Sequence, residues 1–307
     1  MPPEEITPYV PRRVARSLRV DLRGTTAHVL AWGEPDAPKL FLLHGWMDVA
    51  ASFQFLVDAL SREFHVIAPD LRGFGRSDWQ PQGYWFADYV ADLHALLQRF
   101  SPDEPVTLAG HSLGANVVMH YAGVKPDRVR ALVALDGFGI PEEPASRAPD
   151  KLAAWLDALD DPPGFAPYDD FEAVAARLMK NDRRLPADKA AFLARHWAAR
   201  SNDGRVRLTS DPRHKLPFPI VYRVEEVFAV RQRIRARTLW IAALDSHVPG
   251  WLDRHPEGEA GVDSLAGVRR RMTHIPGATL VTIADAGHML HHDQPLAVAR
   301  AIEAFVQ

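Results

Sequence analysis

Four short apolar runs, each stopped by a residue that turns or breaks the chain, constrain this fold most. Leu40-Phe41-Leu42-Leu43, Val66-Ile67-Ala68, Val106-Thr107-Leu108-Ala109 and Leu132-Val133-Ala134-Leu135 end at His44, Pro69, Gly110 and Asp136. Continuous runs of this length suit strands buried on both faces of a parallel sheet, where neither side needs polar residues. Between the second and third runs, Phe86, Tyr89, Val90, Leu93, Leu96 and Leu97 recur at helical spacing, with Asp88, Asp92 and Gln98 among them. Strand and helix in alternation predict βαβ units, a mostly parallel sheet and helices on both of its faces.

The alternation breaks after Leu135. Proline clusters (Pro141, Pro144, Pro149, Pro162-Pro163-Gly164, Pro217, Pro219) surround three helical patches at Leu152–Leu159, Phe171–Met179 and Ala187–Ala199. The next buried strand run is Thr238-Leu239-Trp240-Ile241-Ala242. A helix near Ser264–His274, a strand at Thr279–Ile283 and a final helix at Pro295–Val306 then resume the pattern. Residues 138–235 therefore read as a helical cap inserted between two parts of one α/β core, 1–137 and 236–307.

The composition excludes several functions. Thirty-six basic and 39 acidic side chains leave a net charge of −3, too balanced for an electrostatic nucleic-acid binder. Cysteine is absent, which removes disulfides, thiolate metal sites and a Cys nucleophile. The segment Met1–Val10 carries three prolines and Glu4-Glu5 without an apolar centre, unlike a secretory signal. No window approaches the ~18 apolar residues that a membrane span needs. The expectation is a cytoplasmic protein with no membrane and no nucleic-acid partner.

Gly110-His111-Ser112-Leu113-Gly114 fits the G-x-S-x-G pattern between a strand run and a plausible helix, Leu113–Tyr121. Such a corner lifts the serine hydroxyl above the sheet, and the helix start offers free N–H groups to a developing anion. The alternative is a chance match in a turn. His44-Gly45-Trp46 follows the first strand run and precedes a helix at Ala50–Leu60. The backbone N–H of Trp46 is the natural partner of that of Leu113 in an oxyanion hole. A serine needs a base, and His288, in a loop leaving the Thr279–Ile283 strand, stands where it can reach Ser112. The carboxylate that orients it has two candidates, both at strand ends: Asp245, the preferred one, and Asp136 as the alternative. His291, His292 and Asp293 form no recognisable ligand set, and no metal is assigned. Asp48 reads as a helix cap, and Asp70, Arg72 and Arg76 as residues that tie their own loop together.

These segments, with Asp70-Leu71-Arg72-Gly73-Phe74-Gly75-Arg76-Ser77-Asp78 and Ala286-Gly287-His288, resemble the α/β-hydrolase fold superfamily over essentially the whole chain. His44-Gly45-Trp46-Met47-Asp48, Asp211-Pro212-Arg213-His214-Lys215 and Tyr222-Arg223 are similar to its serine-hydrolase-like branch, which implies no settled substrate. The resemblance implies Ser112 as nucleophile, His288 as base and the chain order serine, acid, histidine, which favours Asp245. Ala242 stands where the family often has glycine three residues before that acid. The resemblance also covers epoxide hydrolases, in which cap tyrosines act as acids. That chemistry needs an aspartate nucleophile, and the position here holds Ser112.

The expected function is a cofactor-free hydrolase of a small or medium, largely apolar carboxylic ester. Hydrolysis of a thioester, lactone or C–C bond, or a non-catalytic binding role, stays open. Candidate substrate contacts are His44, Met47, Tyr168, Tyr222 and Met289. Most cap aromatics (Trp155, Phe165, Phe171, Trp197, Phe218, Phe228) are expected to fill the cap's own core.

Overall fold

The computed structural model describes residues 6–252 and 265–307. The elements begin with β1 (Arg16–Leu22), β2 (Thr25–Trp32), β3 (Lys39–Leu43), α1 (Gln54–Ala59), β4 (His65–Pro69), α2 (Phe86–Phe100), β5 (Val106–His111), α3 (Leu113–Val124) and β6 (Val129–Leu135). The insertion carries α4 (Ala148–Asp160), α5 (Phe171–Asn181), α6 (Ala187–Trp197), the short pair β7 (Ala198–Arg200) and β8 (Val206–Leu208), and α7 (Val224–Arg231). The chain then adds β9 (Arg237–Ala243), α8 (Val248–Leu252), α9 (Ala266–Met272), β10 (Thr279–Ile283), α10 (Leu290–Asp293) and α11 (Pro295–Phe305). The predicted helix start at Ser264 lies outside the described residues.

The main sheet has the order β1-β2-β4-β3-β5-β6-β9-β10. It is parallel from β4 to β10, with β2 antiparallel to both of its neighbours. The predicted strands β3, β4, β5, β6 and β9 form its buried centre, and the predicted Thr279–Ile283 strand, β10, is a largely exposed edge. The β1–β2 hairpin is not legible as an apolar run, because an edge strand keeps one face in water and alternates instead. The exposure of Arg16, Ser17, Arg19 and Asp21 along β1 shows this. The order reverses direction between β3 and β5. Ligands of open α/β sheets collect at the carboxyl ends of strands at such a switch point. Here those ends carry His44-Gly45-Trp46 and Ser112.

Helix α3 approaches the sheet so closely that side chains are excluded at the contact. A Cβ on Gly114 would lie 2.1 Å from the Leu43 carbonyl oxygen, and one on Gly110 would lie 2.3 Å from the Gly114 carbonyl carbon. Both neighbours are backbone and cannot swing aside. Gly114→Ala is expected to cost about 3 kcal/mol, the upper end of overpacking penalties. Urea unfolding checks this: the midpoint should fall at unchanged m-value.

The insertion contains the three expected helices with boundaries shifted by a few residues. Its own apolar cluster joins Val174, Leu178, Ala190, Leu193 and Val206 with Phe55 of the core. Helix α7, near the end of the inserted stretch, packs on the core helix α3, where a Cβ on Gly123 would meet the Val230 carbonyl oxygen at 2.2 Å. No helix among the described residues is long and apolar enough to cross a membrane.

Candidate active site

The backbone puts Ser112 where its hydroxyl can react. Between β5 and α3 the chain must change direction in one residue, and Ser112 takes φ 52° and ψ −112° to do it. A side-chain-bearing residue reaches positive φ only at a cost, so surrounding bonds must hold it. The Ser112 N–H donates to the Leu135 carbonyl at 3.0 Å, which fixes the elbow to β6. Gly45 passes directly over it, with a Cβ at that position only 3.2 Å from Ser112 Cβ. The amides of Trp46 and Leu113 donate no hydrogen bond among the described residues. Both are free to receive an anion.

His288 Nε2 lies 3.1 Å from Ser112 Oγ, and His288 Nδ1 lies 2.8 Å from Asp136 Oδ2. The expected carboxylate was Asp245, and the structure corrects this placement. Asp245 pairs with Arg184 of the insertion at 2.7 Å, both side chains nearly half exposed. Asp136 is fully buried. Its Oδ1 accepts from the Ala243 N–H at 3.2 Å, and its Oδ2 also accepts from the Ser246 hydroxyl. A buried carboxylate is tolerable only when its lone pairs are filled by donors, and here they are. The reason lies in the strand order. Asp136 ends β6, which lies directly beside the β5 strand that carries Ser112, whereas Asp245 follows β9, one strand further out. Asp136 adopts φ 44°, a turn that directs the chain back over the sheet end.

The residues expected to touch substrate divide. His44 is buried, with both ring nitrogens engaged: Nδ1 donates to the Gly45 carbonyl at 2.7 Å and Nε2 accepts from the Leu71 N–H at 2.8 Å. Burial holds its pKa below the ordinary imidazole value. It braces the Gly45-Trp46 loop against the Asp70 loop. Tyr168 pairs through its backbone with Val206 and, partly buried, packs against the insertion's apolar cluster. The Tyr222 hydroxyl lies by Gly139, three residues past Asp136. Met289 adjoins His288, and its carbonyl accepts from His292 N–H at 2.7 Å. Met47, at φ 54°, packs against the main core.

The Asp70–Asp78 loop is tied together as expected. Asp70 accepts from His28 Nδ1 at 2.7 Å, the Ala50 N–H at 2.7 Å and the Arg76 N–H at 2.9 Å. Burial alone would raise its carboxyl, but the hydrogen bond and charge of His28, with His44 and the Arg76 amide, bring it below the usual carboxylate range. Asp70 thus caps the turn after Val49. Asp48, the expected cap, accepts from the adjacent Val49 N–H with Oδ1 and is buried beside Ser52 and Trp197. Arg72 forks onto Asp92 through Nε and Nη2.

His214 was missed as a fastening point between the insertion and the core. Its ring is stacked between Phe74 at 3.7 Å and Tyr84 at 3.6 Å, and its carbonyl accepts from Trp46 Nε1. The neighbouring Asp211 takes the Tyr84 hydroxyl at 2.8 Å and donates its N–H to the Gly73 carbonyl. The similarity of Asp211–Lys215 to one family branch was visible in the sequence, and its docking role was not. The other insertion aromatics divide, against the expectation that most fill the insertion's own core: Phe165 lies under Lys215 and Phe171 under Arg195 and Arg200, whereas Phe228 stacks on His274 and Trp155 and Phe218 pack on Trp85, all outside it.

The model of the α/β hydrolase fold family matches residues 38–295. A serine hydrolase-like protein of Danio rerio is 26% identical over 315 aligned residues, covering 96% of this chain and 90% of its own. The 2-(acetamidomethylene)succinate hydrolase of Mesorhizobium japonicum is 35% identical over 172 residues, 56% of this chain and 58% of its own. Among solved structures, a thioesterase domain from the curacin biosynthetic pathway superposes with a TM-score of 0.80 at 23% identity, covering 94% of this chain and 99% of that one. The crystal structure of E-2-(acetamidomethylene)succinate hydrolase gives 0.74 at 26% identity, with 95% and 99% covered. A family match across most of the chain, joined to this sheet order and its strained serine corner, makes the protein a member of the α/β hydrolase fold family.

Proposed function

We propose that the protein is a serine hydrolase of carboxylic esters that works through an acyl-enzyme. The observation that carries this reading is the unbroken chain from Ser112 Oγ through His288 to Asp136, at 3.1 and 2.8 Å. Ser112 attacks the acyl carbon as His288 Nε2 takes its proton, and the buried Asp136 carboxylate steadies the imidazolium that forms. The N–H groups of Trp46 and Leu113 stabilise the oxyanion, a term typically worth ~10²–10³ in rate for one donor. His288 then protonates the leaving alcohol, and water repeats the sequence on the acyl group. The reaction itself calls on no metal or cofactor. The names of three relatives (a serine hydrolase-like protein, a lipase, an amide-bearing succinate hydrolase) agree with acyl transfer to water, while others are named epoxide hydrolases. The aromatic insertion and balanced charge favour a small or medium, largely apolar ester in an aqueous, cytoplasmic setting.

A fluorophosphonate probe tests this directly, because it phosphonylates only an activated serine. The expected result is one label per chain on the wild-type protein and none on Ser112→Ala. No labelling of the folded wild type, or equal labelling of the variant, would sink the serine reading.

A further inference from the structure

Three buried side chains from distant parts of the chain converge behind the elbow without satisfying one another. Asp48 follows β3, His111 ends β5 and His291 lies in α10. One ligand-type atom from each lies within 4.8 Å of the other two, and all three residues are buried. Asp48 Oδ2, His111 Nδ1 and His291 Nδ1 have no hydrogen-bond partner among the described residues. Three buried polar atoms in this condition are expensive, since each has lost water and gained nothing.

The outer bonds decide what the inner atoms offer. His111 Nε2 lies 2.8 Å from the His288 carbonyl oxygen, which can only accept, so Nε2 carries the proton. The His111 Nδ1 lone pair therefore faces inward. Ser52 Oγ lies 2.6 Å from His292 Nε2 and 3.2 Å from His291 Nε2. With its single proton given to His292, the shorter contact, Ser52 accepts from His291 Nε2–H. His291 then also turns a lone pair inward. Two imidazole nitrogens and a carboxylate oxygen meet there, with the Ser52 hydroxyl and the Trp197 indole beside Asp48. A cation at their centre would satisfy all three unpartnered atoms at once.

We propose that Asp48, His111 and His291 form a binding site for a single divalent transition-metal ion of the Zn²⁺ type. Two imidazoles and one carboxylate are a donor set that Zn²⁺ accepts, at ~2.0–2.2 Å from each ligand atom. Small side-chain rotations bring the three atoms into that shell. The remaining ring N–H groups already donate to a backbone carbonyl and a hydroxyl, the outer partners that orient metal-binding histidines. The site is separate from the proposed hydrolytic step, which uses Ser112, His288 and Asp136. An ion there clamps the end of β5 to the loop that carries His288, through the bond from His111 to the His288 carbonyl. Reading along the chain could not find it: His291 and His292 are adjacent, and the ligands that complete the set come from other elements.

The test uses the full chain stripped with EDTA, then given Zn²⁺ or, as a spectroscopic stand-in, Co²⁺. The expected result is one ion per chain retained through desalting, by elemental analysis, and a thermal midpoint that rises with free Zn²⁺. Co²⁺ should give the intense visible bands of four-coordinate cobalt. Asp48→Asn and His291→Gln should each weaken Zn²⁺ binding by about 100-fold or more, beyond what loss of an outer partner costs. His274→Gln, at a histidine stacked on Phe228 away from the cluster, should leave it unchanged. Less than one retained ion per wild-type chain overturns the proposal, as does undiminished affinity in the folded Asp48→Asn and His291→Gln proteins. Should neither variant fold, the wild-type cobalt spectrum decides. Weak bands of six-coordinate cobalt would mean capture by exposed histidines, and would overturn the site.

Discussion

Asp136→Asn should lower kcat on an activated ester by about 10⁴-fold, the scale set when a serine triad loses its carboxylate charge. Asp245→Asn should leave kcat within about fivefold. The contrast follows from what each carboxylate does. Asp136 is buried and bonded to His288 Nδ1, so its charge has nowhere else to act and sets both the ring's tautomer and the energy of the imidazolium. The asparagine is nearly isosteric, and its amide can present N–H to Nδ1, which leaves the proton on the wrong ring nitrogen. Among the described residues the Asp245 side chain pairs with Arg184, open to solvent, and such pairs contribute about 1 kcal/mol or less. Steady-state kinetics on a p-nitrophenyl ester, with circular dichroism to verify folding, measure both. Loss of turnover in the Asp245 variant alone would return the acid to β9 and require the loop around Asp245 to move.

The second large effect is acid unfolding at mild pH. Burial pushes His214 and His292 down to about 3, and His120 and His196 down to about 4. In the unfolded chain all four titrate near the ordinary value of about 6.5. Between pH 6.5 and 4 the unfolded state therefore binds protons that the folded state refuses, and stability must fall as pH falls. From pH 7 to pH 5 each such histidine costs about 2 kcal/mol. Four together cost about 8 kcal/mol, as much as the whole stability of many domains. The loss is complete only when pH drops through the folded values, well below 5. Urea midpoints at pH 7, 6 and 5 would reveal the slope, and His214→Gln should flatten it by one proton. Equal stability at pH 7 and 5 would mean that these rings are charged or wet in the folded protein.

Much of this molecule can be read along the chain. Runs such as Leu40–Leu43 and Val106–Ala109 are too apolar to sit anywhere but the middle of a sheet, and that is where they lie. Ser112 is legible because its neighbours, a strand run, two glycines and a helix, are all local. His288 is legible because a loop leaving the carboxyl end of a parallel strand opens on the same rim as Ser112. The β1–β2 hairpin is harder, since its pattern is half polar.

Sequence alone thus determined the α/β class, the serine at the elbow and the histidine that faces it, because hydrophobic periodicity and turn chemistry act between residues close in the chain. The choice of Asp136 over Asp245, the seat of His214 between Phe74 and Tyr84, and the meeting of Asp48, His111 and His291 belonged to tertiary structure. Two aspartates at two strand ends look alike until strand order sets which lies nearer the serine and Arg184 neutralises the other. Lone pairs that converge from three separate elements leave no spacing in the sequence, since their separation is set by how sheet and helices pack.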